Sequence, residues 1–394
     1  MPRLHIYDRR ERAVVATADR VLALSAALAR PFRRRHVPAS PRRILLLRLE
    51  RIGDLLMVLP AIADVRAAAP SAEIHLVVGS WNADIARALD PVTAMQTLDA
   101  RWLARDGEGL PMTSLVRAAR RWSRAQYDLA INFEPDIRSN ILLAASGAAW
   151  TAGYRSGGGG ALLDQALDYD TRAHTTDNAR RLVATVFGAA GQDGQGPAFI
   201  VPAQAHENAS RLLSPAVRPL VAMHVSGGRL LKQWDPERFA EIARRLISVL
   251  GARIVLTGSG VDRPLIDVVR QRLPAGRVID LAGQVDLLTL AAVLERVDLL
   301  ITGDTGPMHL AVAVETPVVA IFGPSDPARY GPRGPFDRIV RVDLPCAPCN
   351  RIRRPPARCD GHIPDCLALV TTDSVFDAAR SVLDAAARAH TPTA

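Results

Sequence analysis

The chain has 394 residues, enough for two domains, and its 48% hydrophobic content supports sizeable buried cores. Its formal net charge is +9, but residues 1–43 alone hold eleven arginines against Asp8, Glu11 and Asp19, so the rest of the chain is nearly neutral. That distribution excludes a nucleic-acid surface spread over the fold, and no nucleic-acid partner is expected.

Residues 1–41 read as a basic amphipathic extension. Val14, Val21, Leu24 and Leu28 recur at helical spacing along one face. Asp19 and Arg20 interrupt the apolar run, so it is not a bilayer span, and Pro31 closes the helix before Arg33, Arg34 and Arg35. Two readings stand: residues 9–35 lie on an anionic membrane surface, or the helix packs on the protein's own body. The apolar stretch is broken by charge and lacks a clean cleavage site, so it is no secretory signal. The expectation is a cytoplasmic protein, peripheral on the inner face of the membrane.

Residues 42–205 form the first predicted domain. Ile44–Leu49 is a continuous apolar run, as in a strand buried on both faces, and Gly53 supplies the turn into a helix marked by Leu55, Leu59, Ile62 and Val65. Further strands are "EIHLVVG" and "DLAINF". The stretch "YRSGGGG" reads as a mobile loop or a close backbone approach to a ligand. Residues 206–372 repeat the pattern. "RPLVAMHV", "RIVLTGS", "RVIDLAG", "DLLITGDTG" and "PVVAIFGPSD" are strands separated by helices, one of them capped by Asp235 with Pro236 at its first position. Regular βα alternation implies doubly wound parallel sheets. The predicted fold class is therefore α/β, two Rossmann-like doubly wound domains facing across a cleft, with a final helix in 373–394 crossing back to the first domain.

Ligands of such sheets bind at the carboxyl ends of strands. Four loops matter on that rule. In "RLERIGD", Asp54 either N-caps the helix or offers a carboxylate that takes a proton from a hydroxyl. In "HVSGGRLLKQW", Ser226, Gly227 and Gly228 present backbone amides that can cradle phosphate, and Lys232 follows. Lys232 is the only lysine in a chain with 49 basic residues. A compact ammonium serves a phosphate as a point charge where a planar guanidinium needs another approach. "TGSGVDRP" is glycine-rich but lacks the dinucleotide spacing. In "TGDTGPMHLA", Asp304 and Thr305 sit at a strand end, Gly306 and Pro307 open a helix whose amides face the ligand side, and His309 projects from its first turn.

All four cysteines, Cys346, Cys349, Cys359 and Cys366, fall in one short window. A cytoplasmic chain argues against disulfides, and tetrahedral thiolate ligation of structural zinc or iron competes with four reduced thiols.

Three stretches, "ILLLRLERIGDLLMVLPAI", "H-x-S-G-G…K-x-W" and "GDTGPMHLAVAVETPVVAIFGPSDP", together resemble the family 9 glycosyltransferases, the ADP-heptose:lipopolysaccharide heptosyltransferases. The resemblance covers residues 42–390 in pieces. It implies an acceptor-side first domain, a donor-binding second domain and inverting transfer from ADP-heptose to a membrane-anchored glycan, with no cofactor required. It implies Asp54 as base, Lys232 on the donor phosphates as the second catalytic group, Ser226 and Gly227 at a phosphate-contact turn, and Asp304, Thr305, Gly306 and His309 in the donor loop. Some relatives carry a similar cysteine cluster that holds iron. Arg48 and Arg51 fall on the acceptor side. Glu50–Arg51 replaces the small residues usual there, which leaves acceptor identity open, a protein acceptor included. The rivals are a nucleotide-sugar epimerase, a scaffold with a decayed site, and a dinucleotide oxidoreductase, the last disfavoured by the missing fingerprint.

Overall fold

The structure, a computed structural model, describes residues 4–6, 8–29, 38–104, 108–188, 199–215, 217–352 and 355–389. The chain divides into two units, Met1–Ile200 and Val201–Ala394. Arg33, Arg34 and Arg35, the cluster expected after the N-terminal helix, lie outside the described residues.

The first unit is built on one parallel sheet of β1 (Arg43–Arg48), β2 (Glu73–Val78), β3 (Ala94–Thr97), β4 (Leu129–Asn132), β5 (Trp150–Tyr154) and β6 (Gln165–Leu167), in the order β3-β2-β1-β4-β5-β6. Ile44 through Leu47 are fully buried because helices cover both faces of β1, the reason that strand reads as an unbroken apolar run. The second unit repeats the plan with β7 (Leu220–His224), β8 (Arg253–Thr257), β9 (Val278–Asp280), β10 (Leu299–Gly303), β11 (Val318–Ile321) and β12 (Arg338–Val340) in the order β12-β11-β10-β7-β8-β9. Each sheet is a doubly wound Rossmann-like sheet. The order in which strands are added reverses between β1 and β4 in one unit and between β7 and β10 in the other, all strands staying parallel, and such switch points open the crevices where ligands settle.

Local expectations are realised where the signal is local. Asp235 accepts from the amide of Glu237 at 2.9 Å and starts the helix Pro236–Leu250. The glycine stretch after β5 does make a close backbone approach, but to the protein itself. A Cβ on Gly157 would fall 1.9 Å from the carbonyl oxygen of Pro135, and one on Gly158 would meet Val15 at 2.7 Å. The N-terminal helix, Arg9–Ala29, packs on this glycine loop, where the Gly159 amide donates to Asp19 at 2.6 Å.

In the C-terminal helix, Thr372–Ala389, Val375, Phe376, Ala379 and Val382 are buried in the second unit's own core, and Arg245 of the helix Pro236–Leu250 pairs with Asp373 at 2.7 Å. An apolar stripe with a core to fill at hand is held there by the burial itself.

Candidate active site

In the first unit, Asp54 lies on the short helix Ile52–Leu56, at the β1 side of the β1/β4 switch point. Its carboxylate accepts from the Arg51 amide at 3.2 Å, so the capping role is real. Its other oxygen accepts from the Arg48 guanidinium at 3.4 Å, and the side chain keeps 29% of its surface exposed. The helix start thus orients the carboxylate, and solvent can still reach it.

Arg48 is almost wholly buried. It donates to the Phe133 carbonyl at 2.7 Å and the Asp54 carbonyl at 3.1 Å, and pairs with Glu50 at 2.9 Å. Burial opposes its charge, but the carboxylates of Glu50, Asp54 and Glu134 outweigh that and raise its pKa. The group that sequence reasoning missed is Glu134. It is buried just beyond β4, and its carboxylate accepts from the amides of Leu49 and Glu50, the second at 3.0 Å, and from the Ser139 hydroxyl. Burial pushes its carboxyl up, against Arg48 and the Ser139 hydrogen bond. Burial also pushes Glu50 up, with Arg48 opposing and Asp54, Glu134 and Asp136 adding. The signal for Glu134 was available: an acidic residue immediately after "AINF", at a strand's carboxyl end.

Arg51 is held by its own neighbours. Its guanidinium donates to the Leu103 carbonyl and lies 4.9 Å from the centre of the Trp81 ring. Trp81 and Asn82 each donate to the Glu50 carbonyl at 2.8 Å. The loop from Leu49 to Asp54 is thus held from four sides.

In the second unit the structure brings together two residues 72 positions apart. Lys232 meets Asp304 at 2.7 Å, with His309 at 3.9 Å from the same carboxylate. Burial opposes ionisation of Asp304, yet Lys232, His309 and a hydrogen bond from Ser325 prevail and hold its carboxyl below the usual range. Lys232 comes from a single 3-10 turn pinned by buried Leu231 and Trp234.

In the glycine turn, the Gly227 amide donates to the Gln233 side chain at 2.7 Å, and the Gly228 amide donates to the Ser226 hydroxyl at 3.2 Å. These two contacts brace the loop. Gly227 is glycine for packing, since a Cβ there would stand 2.5 Å from the Lys232 carbonyl. Gln233, also missed, ties the turn together by donating to Val225 and Trp234, both at 2.7 Å. The Ser226 hydroxyl binds Asp262, whose carboxyl stays low despite burial because Ser226 and Ser259 donate to it. His224, at the end of β7, is pushed down to about 4 by burial and is neutral.

Helix Gly306–Ala313 starts without a side-chain cap. Thr305 is its N-cap by backbone, but its hydroxyl contacts Thr302 at 3.0 Å. A helix start of this kind suits an anion.

Cys346, Cys349, Cys359 and Cys366 are free thiols, and among the described residues no group of three or more His, Cys, Asp or Glu side chains is placed to hold a metal ion. Cys366 sits on the helical turn Asp365–Ala368, and burial, with the other three cysteines adding, pushes its thiol up to about 11.

The model of glycosyltransferase family 9 (heptosyltransferase) matches residues 115–357, more than half of the chain. The chain belongs to glycosyltransferase family 9. This family 9 protein is a glycosyltransferase, and its two Rossmann-like units are those of the GT-B fold. It is 25% identical over 320 residues to lipopolysaccharide heptosyltransferase 1 of Pseudomonas aeruginosa strain PAO1, covering 78% of this chain and 86% of that one. A family 9 glycosyltransferase from Veillonella parvula superposes with TM-score 0.73 at 23% identity, over 87% of this chain and 98% of that chain. The Escherichia coli ADP-heptose lps heptosyltransferase II gives TM-score 0.67 at 21% identity, over 87% and 99%. Among the described residues no helix is long and apolar enough to cross a membrane.

Proposed function

We propose that this glycosyltransferase moves heptose, with inversion, from ADP-heptose to a hydroxyl of a lipopolysaccharide-type glycan carried at a membrane. The observation that carries the reading is the Lys232–Asp304 pair at the β7/β10 switch point, beside the open start of helix Gly306–Ala313. Relatives named for ADP-heptose and lipopolysaccharide support the choice of donor and acceptor.

The roles follow from charge. Asp54 takes the proton of the acceptor hydroxyl. The oxygen attacks the anomeric carbon as its bond to the β-phosphate breaks, and ADP leaves with the electron pair. Lys232 and the first-turn amides of helix Gly306–Ala313 meet the negative charge gathering on the diphosphate. Asp304 then keeps a sugar hydroxyl or His309 as partner while the ammonium turns to phosphate.

Thermal unfolding with ADP-heptose, ADP-glucose and UDP- and GDP-sugars tests the donor. ADP-heptose at a hundred times its dissociation constant is expected to add about 2.7 kcal/mol. Lys232→Arg is expected to abolish that gain. Stabilisation by another nucleotide sugar in place of ADP-heptose would refute the heptose assignment and leave the fold reading standing.

A further inference from the structure

The N-terminal helix Arg9–Ala29 has two apolar faces. Val15, Leu22 and Ala26 turn toward the body, and Asp19 anchors the same side by accepting from Gly159. Val14, Val21 and Leu24 turn away and are 68%, 61% and 71% exposed. At about 100° per residue these three fall within an arc of about 80°. The stripe found in the sequence is therefore the outer one, and packing on the body leaves it bare.

Its surroundings are basic. Arg10 lies within that arc and Arg9 and Arg20 border one side of it, all three exposed; exposed Glu11 stands off the other side, and Asp19 is turned inward. The inward face rests on the glycine loop, which lies against Pro135 and Ile137, next to Glu134 and the β4 end of the acceptor-side loop. The outer stripe is thus mounted on the element that adjoins the acceptor side of the first unit.

We infer that the outer face of helix Arg9–Ala29 is a docking surface for an anionic phospholipid bilayer. Val14, Val21 and Leu24 enter the headgroup boundary while the flanking arginines meet lipid phosphates. Charge complementarity selects this occupant. A second copy of the chain would bring arginine against arginine, with a net +8 over residues 1–43 of each. A nucleic acid would leave the central apolar stripe without a partner. The inference deepens the proposed function by naming what holds the enzyme near a membrane-borne acceptor. Docking itself requires neither donor nor acceptor, so its failure and that of the transferase reading are separable.

The experiment is flotation of the full chain with vesicles of phosphatidylcholine alone and of phosphatidylcholine with phosphatidylglycerol, without nucleotide sugar, at low and high salt. The expected result is binding to the anionic vesicles only, weakened by salt. It should fall by about tenfold or more in the triple variant Val14→Gln, Val21→Gln, Leu24→Gln. The variant's thermal midpoint should match the parent's, since the replaced side chains are exposed. A conservative Val14→Leu, Val21→Leu pair should bind as the parent does. Absence of binding to anionic vesicles overturns the inference, as does equal binding by the triple variant. A concentration-dependent dimer that the triple variant abolishes, with no vesicle binding, would assign the face to a second copy and overturn it equally.

Discussion

The two switch points solve one problem by opposite means. At β1/β4, side-chain charge is locked into a lattice: Arg48 buried among Glu50, Asp54 and Glu134, with Glu134 gripping the loop's own amides. At β7/β10, the loop is tied by backbone and amide contacts through Gly227 and Gln233, and one ammonium meets one carboxylate. The first arrangement suits a group that must keep one orientation while a proton moves. The second leaves the loop's bracing independent of the Lys232–Asp304 pair, as the proposed exchange of Asp304 for a donor phosphate requires.

The sharpest way to break the comparison is Asp54→Asn. Turnover should fall by about 10²–10⁴ while stabilisation by donor is kept, because the base acts on the acceptor. Equal loss of donor binding would show that the two regions are not separate in function. Next comes Lys232→Ala. A rate loss of about 10²–10³ is expected, with about 2 kcal/mol of stability lost because Asp304 is left without its ammonium. The double variant with Asp304→Asn should recover stability and not rate, readable by calorimetry beside steady-state kinetics.

Glu134→Ala tests the lattice through a buried residue. The amides of Leu49 and Glu50 lose their acceptor, costing about 2 kcal/mol, and kcat should drop about tenfold with the donor KM unchanged. Gln233→Ala is its counterpart in the second unit. About 1–2 kcal/mol of stability and a raised donor KM are expected, with the acceptor KM unmoved.

The smallest effect concerns pH. Burial lifts Glu50 from 4.5 to about 8 in the folded protein, so between these values the native state holds more proton than the unfolded chain. Stability from this group is fully present below 4.5 and is lost as pH rises through about 8. A decline of about 1 kcal/mol is expected, since Arg48 and solvent both moderate the cost. Glu50→Gln should flatten the profile in denaturant titrations.

Much of the site was legible because loops at strand ends are where such sheets bind ligands. Asp54, Lys232 and Asp304 were all found on that rule. Glu134 escaped because the loop after β4 was not weighed with the other four, and its hold on Leu49 and Glu50 spans more than eighty residues. Gln233 escaped because an uncharged amide beside a lysine carries no signal until its three partners are in place.

By itself the amino-acid sequence determined the βα alternation, the buried central strands, the Asp235 cap and the loops that could carry chemistry. These follow from periodicity and local backbone preference, which act over a few residues. Edge strands β3, β6 and β12, three or four residues long, carry too little period to be read that way. Tertiary structure decided which charges meet, which of two apolar faces of the first helix is buried, where the last helix packs, and that the Gly227 amide braces its own loop. Each of these depends on what stands opposite in space, and an apolar stripe or a carboxylate does not name its partner until the chain has folded around it.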